Sequence, residues 1–311
     1  MRRSVLGMLV GLSALASFAM PLSAAQFQLI PVDVPHGAIL PRSISADGST
    51  IVGEVFIDFI RHPFRWRADA GFELLDGAPG SGAGGEAFAF GVSGDGSVVV
   101  GGSGGPNPRA YRWTAEQGFL DLGALDGQGA WARGVTTDGR TIVGTSGGYA
   151  FTWTAEQGME RLFWGEAIAV SGDGSVVVGQ ANETQRAIRW EATTGETSFF
   201  SWDPVHVQDV SEDGTTMVGS LAVPGGSRGF RWVGDIVGLL TIPETDRPLA
   251  TVSGVNGDGT LLVATGGLWA PHPLFTSSRR CCGWAVRARP SCRCSRMDSV
   301  APPMFRRMAG S

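Results

Sequence analysis

The chain has 311 residues, 43% hydrophobic and 17% charged, with 47 glycines and a net charge of −5. That length admits one large domain or two ordinary ones. The hydrophobic content excludes a disordered chain, and abundant glycine with sparse charge suits an all-β protein with many turns.

Residues 1–25 read as a secretory signal peptide. Arg2 and Arg3 form a basic start, Val5 to Met20 a mostly apolar stretch, and Ser23-Ala24-Ala25 offers small residues for cleavage. The expected protein is exported, extracellular or at the cell surface, with the periplasm as a further compartment. No later stretch approaches the roughly 20 apolar residues of a membrane helix. No transmembrane segment is therefore expected in the mature chain. Gln26 to Val34, "QFQLIPVDV", then reads as a β-strand.

An Asp-Gly pair follows six times, at Asp47-Gly48, Asp95-Gly96, Asp138-Gly139, Asp173-Gly174, Asp213-Gly214 and Asp258-Gly259. Its settings are alike: "SISADGSTIVG", "GVSGDGSVVVG", "GVTTDGRTIVG", "AVSGDGSVVVG", "DVSEDGTTMVG" and "GVNGDGTLLVA". Asp-Gly between β-branched runs predicts a hairpin with a type I′ turn, since both residues tolerate positive φ. After each of the first five turns comes a second block. The copies are "HPFRWRADAGFELL", "RAYRWTAEQGFLDL", "YAFTWTAEQGMERL", "RAIRWEATTGETSF" and "RGFRWVGDIVGLL". Each is an aromatic strand ending in Trp66, Trp113, Trp153, Trp190 or Trp232, a polar turn, and another strand.

Each period thus holds four short strands. Four strands in ~40 residues is the signature of a β-propeller blade. The expected fold is all-β, a propeller of about six four-stranded blades over residues 26–270. Its N-terminal strand is expected to close the last blade and protect the strand edges.

Beyond Gly267 the period stops. Residues 277–311 hold eight Arg and one acidic residue, whereas residues 26–276 hold 14 Arg against 28 acids. Residues 271–311 read as an irregular tail rich in Arg, Cys and Pro. A shift of reading frame over codons 264–275 accounts for this composition; a natural basic tail is the alternative. Cys281-Cys282 and Cys292-x-Cys294 lack the spacing of a zinc site.

The two blocks together resemble the HAF-type extracellular repeat, a bacterial family of exported repeat proteins. The triplets that carry the resemblance are His62-Pro63-Phe64, Arg109-Ala110-Tyr111, Tyr149-Ala150-Phe151, Arg186-Ala187-Ile188 and Arg228-Gly229-Phe230. The likeness covers about residues 30–265. It implies a propeller-like, secreted or surface-displayed protein, sometimes an autotransporter passenger. It supplies no catalytic motif.

The Asp-Gly loops lack the several acids and closing Glu of a calcium loop, so they are expected to be structural turns. The glycine clusters lack the Lys of a phosphate loop. The Trp residues, with Phe64, Tyr111, Phe151, Ile188 and Phe230 two positions earlier, share one strand face and read as core between blades. Arg65, Arg112, Arg189 and Arg231 point the other way. They read as bridging to an acid on the neighbouring blade or stacking on Trp, with a ring binding an anionic ligand as the alternative. Asp203, His206 and Asp209 cluster in "WDPVHVQD" without a catalytic motif. No catalytic, cofactor or metal residue is assigned. The acidic body argues against nucleic acid. The expected function is a non-catalytic binding, adhesion or structural module for a glycan or a surface protein. A propeller enzyme acting on extracellular polysaccharide and a passenger lacking its barrel are the alternatives.

Overall fold

A computed structural model describes residues 38–80, 85–195, 197–199, 205–223, 226–234, 236–241, 249–266 and the backbone of Gly283–Arg287. The expected signal peptide and the expected closing strand, Gln26 to Val34, lie outside the described residues. All the elements lie in one compact unit, Val34–Ser311.

Strands follow one another as antiparallel meanders. Blade 1 comprises β1 (Ile39–Ile44), β2 (Thr50–Ile57), β3 (Ile60–Arg67) and β4 (Gly71–Leu74). Blade 2 comprises β5 (Ala87–Val92), β6 (Val98–Ser103), β7 (Ala110–Thr114) and β8 (Gly118–Asp121). Blade 3 holds β9 (Ala130–Val135), β10 (Ile142–Ser146), β11 (Tyr149–Thr154) and the first half of β12 (Gly158–Val170). The second half of β12 begins blade 4, which continues through β13 (Val176–Ala181), β14 (Ala187–Glu191) and β15 (Thr197–Phe199). Blade 5 comprises β16 (Val205–Val210), β17 (Thr216–Val223), β18 (Gly226–Val233) and β19 (Ile236–Leu239). Blade 6 holds β20 (Leu249–Val255), β21 (Leu261–Gly266) and β22 (Gly283–Arg287). The backbone of β22 is extended within the stretch expected to be irregular. It pairs Ala264 with Trp284, the register in which Gly53 pairs with Phe64.

Successive first strands touch one another: β1 with β5, β5 with β9, β9 with β12, β12 with β16, and β16 with β20. The first strands are thus the inner ones, and the blades succeed each other around a central channel. This is a β-propeller.

Apolar junctions between blades form the core. Val98 and Val100 of blade 2 pack with Ala130, Ala132, Ile142, Phe151 and Trp153 of blade 3. Val52 packs with Ala87, Ala89, Tyr111 and Trp113 in the same way. The third-strand aromatics therefore sit at blade junctions. On the second strand, Val52, Val100, Val143, Val178 and Val218 are 0% exposed, whereas the equivalent Val263 of blade 6 is 47% exposed. No further blade among the described residues covers that face.

Every inner strand carries a β-bulge at the same place. The register shifts across Arg42, Phe90, Arg133, Ile168, Gln208 and Ser253. The second-strand glycine beside it allows this. A β-carbon on Gly53, Gly101, Gly144, Gly179 or Gly219 would fall on the carbonyl oxygen of Leu40, Phe88, Trp131, Glu166 or His206. Those five glycines end the "VVG"-type runs of the repeat. In blade 6 the position is Ala264, and there β20 shows a second irregularity, between Leu249 and Thr251.

Two glycine substitutions separate close approach from backbone conformation. Gly101→Ala is expected to lower stability by about 3 kcal/mol, because its β-carbon has no room. Gly118→Ala meets nothing within 4 Å but sits at φ 68°, and is expected to cost only about 1 kcal/mol. Denaturant midpoints at equal slope check the ranking; equal losses would show that the carbonyl does not exclude the side chain.

Candidate functional site

The two ends of the propeller differ. One end carries the Asp-Gly hairpins, built alike in each blade. The Ser45 hydroxyl donates to Asp47 Oδ1 at 2.6 Å, the Ser49 N–H donates to the same oxygen at 2.9 Å, and the Thr50 N–H donates to Ser45 Oγ at 2.9 Å. The same cluster joins Ser93, Asp95, Ser97 and Val98; Thr136, Asp138, Arg140 and Thr141; Ser171, Asp173, Ser175 and Val176; and Ser211, Asp213, Thr215 and Thr216. In blade 6 the Asn256 side-chain carbonyl takes the serine's accepting role, from Leu261 N–H at 2.7 Å. These turns differ from the expected type I′. Gly48, Gly96, Gly139, Gly174, Gly214 and Gly259 have φ of 68–77°, while each aspartate keeps negative φ. The aspartate acts as a hydrogen-bond hub, not as a left-handed turn residue.

The tips are linked from blade to blade by main-chain hydrogen bonds. Ala46 N–H donates to Gly94 C=O, Gly94 N–H to Thr137 C=O, Thr137 N–H to Gly172 C=O and Gly172 N–H to Glu212 C=O, at 2.9–3.0 Å. The belt continues from Asp213 N–H to Gly257 C=O at 3.2 Å. The Oδ1 atoms of the turn aspartates are committed to the clusters and the main chain of the tips to the belt.

The other end, where second strands turn into third ones and fourth strands lead to the next blade, varies from blade to blade. Here Asp58-Phe59 forms the two-residue turn with positive φ at both residues, 50° and 66°, and Phe59 is 98% exposed. Loops that vary on one face of a repeat array commonly form the binding face.

Beneath this mouth lies the inner wall. In β5, Ala87 and Ala89 are buried in a junction while Phe88 and Phe90 are half-buried. In β9, Ala130 and Ala132 are buried while Trp131 and Arg133 are half-buried. In β16, Val205 and Val207 are buried while His206 and Gln208 are exposed. Alternation thus turns the second member of each pair to the channel. Phe88 and Phe90 stack at 5.8 Å, and Trp131 meets them edge-on at 5.4 and 6.0 Å. Gly102 makes room: a β-carbon there would run into the Trp131 indole. Arg61 lies 5.3 Å over Phe88 and Arg133 lies 5.6 Å over Phe90. Among the described residues their acid partners are Glu86 at 3.9 Å and Glu166 at 3.8 Å, and Arg133 Nε is buried without an acceptor. Arg42 is held tightly, 3.0 Å from the fully buried Glu54. Burial pushes the Glu54 carboxyl up and Arg42 opposes it.

Three of the four third-strand arginines have a side-chain partner on their own blade, whereas the Nε of Arg231 is buried without a hydrogen-bond partner among the described residues. Arg65 donates to Glu73 at 2.6 Å on its own blade and stacks 4.5 Å over Trp113 of the next. Arg189 pairs with Glu191 on its own strand, and Arg112 reaches Gln117 at 3.5 Å. The acids are on the same blade, contrary to the expected bridge to a neighbouring acid, because antiparallel pairing sets Arg65 opposite Glu73; the stacking of Arg65 on Trp113 is the other arrangement expected.

His206 and Asp209 lie on one strand; Asp203 is outside the described residues. Asp209 accepts the Val255 N–H of blade 6 at 3.0 Å and the Val210 N–H at 2.8 Å. Burial pushes its carboxyl up to about 6, against those two hydrogen bonds. It fastens one junction, and among the described residues it shares no hydrogen bond with a second carboxylate. Among the described residues no cluster of His, Cys, Asp and Glu could hold a metal ion, and no helix is long and apolar enough to cross a membrane.

The wall's aromatics were not singled out by sequence reasoning. Their signal was the small–large alternation of "AFAFGV" and "AWARGV".

No family model and no curated protein matches the chain. Solved structures do. An oligogalacturonate lyase in complex with manganese is 12% identical over 73% of this chain and 70% of that one, with a TM-score of 0.50. TolB from Acinetobacter baumannii is 16% identical over 64% of this chain, with a TM-score of 0.48, and this chain spans about half of TolB's length, 52%. Kuenenia stuttgartiensis hydrazine synthase is 13% identical over 78% of this chain and 76% of that one, with a TM-score of 0.48. The likeness to the lyase, a β-propeller protein, is one of fold alone.

The aspartates give two opposed pH dependences. At Asp47, Asp95 and Asp138 the hydroxyl two residues earlier is the main cause that holds the carboxyl low, followed by the N–H two residues later. At Asp173 that N–H leads. The stability these groups contribute is present above about pH 4 and lost as pH falls below it. Asp209 has the opposite sign. Its folded form holds a proton that the unfolded chain releases, so stability declines as pH rises from about 4 to about 6. Asp209→Asn is expected to remove that decline, leaving the variant up to about 3 kcal/mol better placed relative to wild type at neutral pH than at pH 4. Urea midpoints across this range check it; a difference independent of pH would mean that the carboxyl is not desolvated.

Proposed function

We propose that this chain is an exported, non-catalytic binding module of the HAF-repeat type, whose ligand, a glycan or a surface protein, seats on the inner wall below the variable loops. The observation that carries this reading is the Phe88, Phe90 and Trp131 cluster. Three half-buried aromatic side chains face the channel beside two guanidinium groups, the apolar floor with few polar groups that marks a ligand site. Export is supported by the signal-like residues 1–25, and the repeat type by the two recurrent blocks.

Catalysis on polysaccharide is the weaker reading. The acids nearest the wall, Glu86 and Glu166, each face an arginine.

Binding of the labelled protein to an immobilised glycan array and to whole bacterial cells tests the proposal. Trp131→Ala is expected to weaken capture about tenfold, equivalent to about 1.4 kcal/mol. Asp95→Asn, at the opposite end, is expected to leave capture unchanged. Loss in the turn variant with none in the Trp131 variant would move the site to the Asp-Gly end.

A further inference from the structure

The wall's charges say what kind of ligand it takes, granted the binding-module reading on which this inference rests. Two cation–acid pairs flank the aromatic cluster. Arg61 stands 3.9 Å from Glu86, and Arg133 stands 3.8 Å from Glu166. Both separations exceed a direct N–H···O hydrogen bond, about 2.7–3.2 Å. Each pair therefore leaves a donor and an acceptor close together but not fully spent on one another. All four side chains are partly exposed, at 34–45%.

A hydroxyl group fits such a pair because it donates and accepts at once. Its O–H can donate to the carboxylate while its oxygen accepts from the guanidinium. A carboxylate or sulfate on the ligand would be drawn to Arg61 or Arg133 but repelled by Glu86 or Glu166. An ammonium group would meet the converse conflict. The two pairs sum to zero charge, so the wall gives no net electrostatic preference to either ion. Between the pairs the aromatic surface offers an apolar contact. The ligand must then carry hydroxyl groups around an apolar face and no charge.

The geometry points to a neutral pyranose oligosaccharide as the ligand, its ring C–H face on Phe88, Phe90 and Trp131 and its hydroxyl groups bridging Arg61 to Glu86 and Arg133 to Glu166. The arrangement is specific to the wall formed by blades 1–4. The equivalent channel positions of blade 5 are the exposed His206 and Gln208, and of blade 6 Thr251 and Ser253, which supply no aromatic surface.

Calorimetric titration of the full chain with cellotetraose, maltotetraose, tetragalacturonate and chitosan tetramer tests this. A neutral tetramer is expected to bind, with an affinity that changes less than twofold between low and high salt, as uncharged contacts require. Trp131→Ala is expected to weaken it at least about tenfold, while Trp131→Phe, which keeps a flat ring over Gly102, retains most of it. Glu166→Gln leaves Arg133 uncompensated and is expected to raise affinity for tetragalacturonate severalfold. Three outcomes overturn the proposal. Salt-sensitive binding of a charged tetramer that Trp131→Ala abolishes makes the ligand class wrong while the module reading stands. Neutral binding untouched by Trp131→Ala places the sugar elsewhere. Failure of all four tetramers, with array and cell capture also insensitive to Trp131→Ala, removes both the ligand class and the module reading.

Discussion

The carbonyl oxygen of each inner strand passes over a glycine of the strand beside it, and the site depends on that close approach. Leu40, Phe88, Trp131, Glu166 and His206 set their carbonyls where Gly53, Gly101, Gly144, Gly179 and Gly219 would otherwise carry a β-carbon. The approach accompanies a one-residue bulge in each inner strand. A bulge re-aims the side chain that it adds. Phe90 and Arg133 are the added residues of their strands, next to Phe88 and Trp131. Tyr111 reinforces the arrangement in blade 2, its hydroxyl donating to the Phe88 carbonyl at 2.7 Å. One backbone constraint, repeated, thus both builds the scaffold and presents the wall.

The Asp-Gly end has a different role. Its serine and aspartate side chains satisfy one another and the turn N–H groups, and its tips pass main-chain hydrogen bonds along the belt from blade 1 to blade 6. Bonds so placed fix neighbouring blades in rotation about the channel. Repetition is therefore strict at this end and loose at the other, where Phe59 and the loops between blades are free to differ. Asp209 replaces the small residue found at its place in other blades, Gly91 or Gly134, and reaches across to Val255. That bond substitutes a carboxylate for packing, at the cost of a buried ionisable group.

Much of the fold was legible in the sequence, because six copies of one pattern are easier to read than one. The strand pairs, the blade count and the junction aromatics follow from recurrence and period-two alternation. The turn type was not legible from Asp-Gly alone. Positive φ was expected at both residues, but the serine or threonine two places before each of the first five aspartates diverts it into a side-chain cluster; "SADGS" and "SGDGS" contain that information once the hydroxyl is considered. The bulge was hidden because one extra residue shifts alternation without changing composition. The closing glycine of "VVG" likewise gives no sign in the sequence that it is a point of contact. Trp131 stands outside the sequence pattern because the repeated tryptophans lie on third strands, at the junctions. Reading "CGWAVR" as a break in pattern missed that its backbone pairs with β21 in the register of "PFRWR".

Hydroxyl-radical footprinting of the full chain, free and saturated with a bound neutral tetrasaccharide, tests the central claim most directly. Protection is expected at Phe88, Phe90 and Trp131, with no change at the Asp-Gly turns. Protection centred on the Asp-Gly turns, with the inner-strand aromatics as reactive as before, would contradict it.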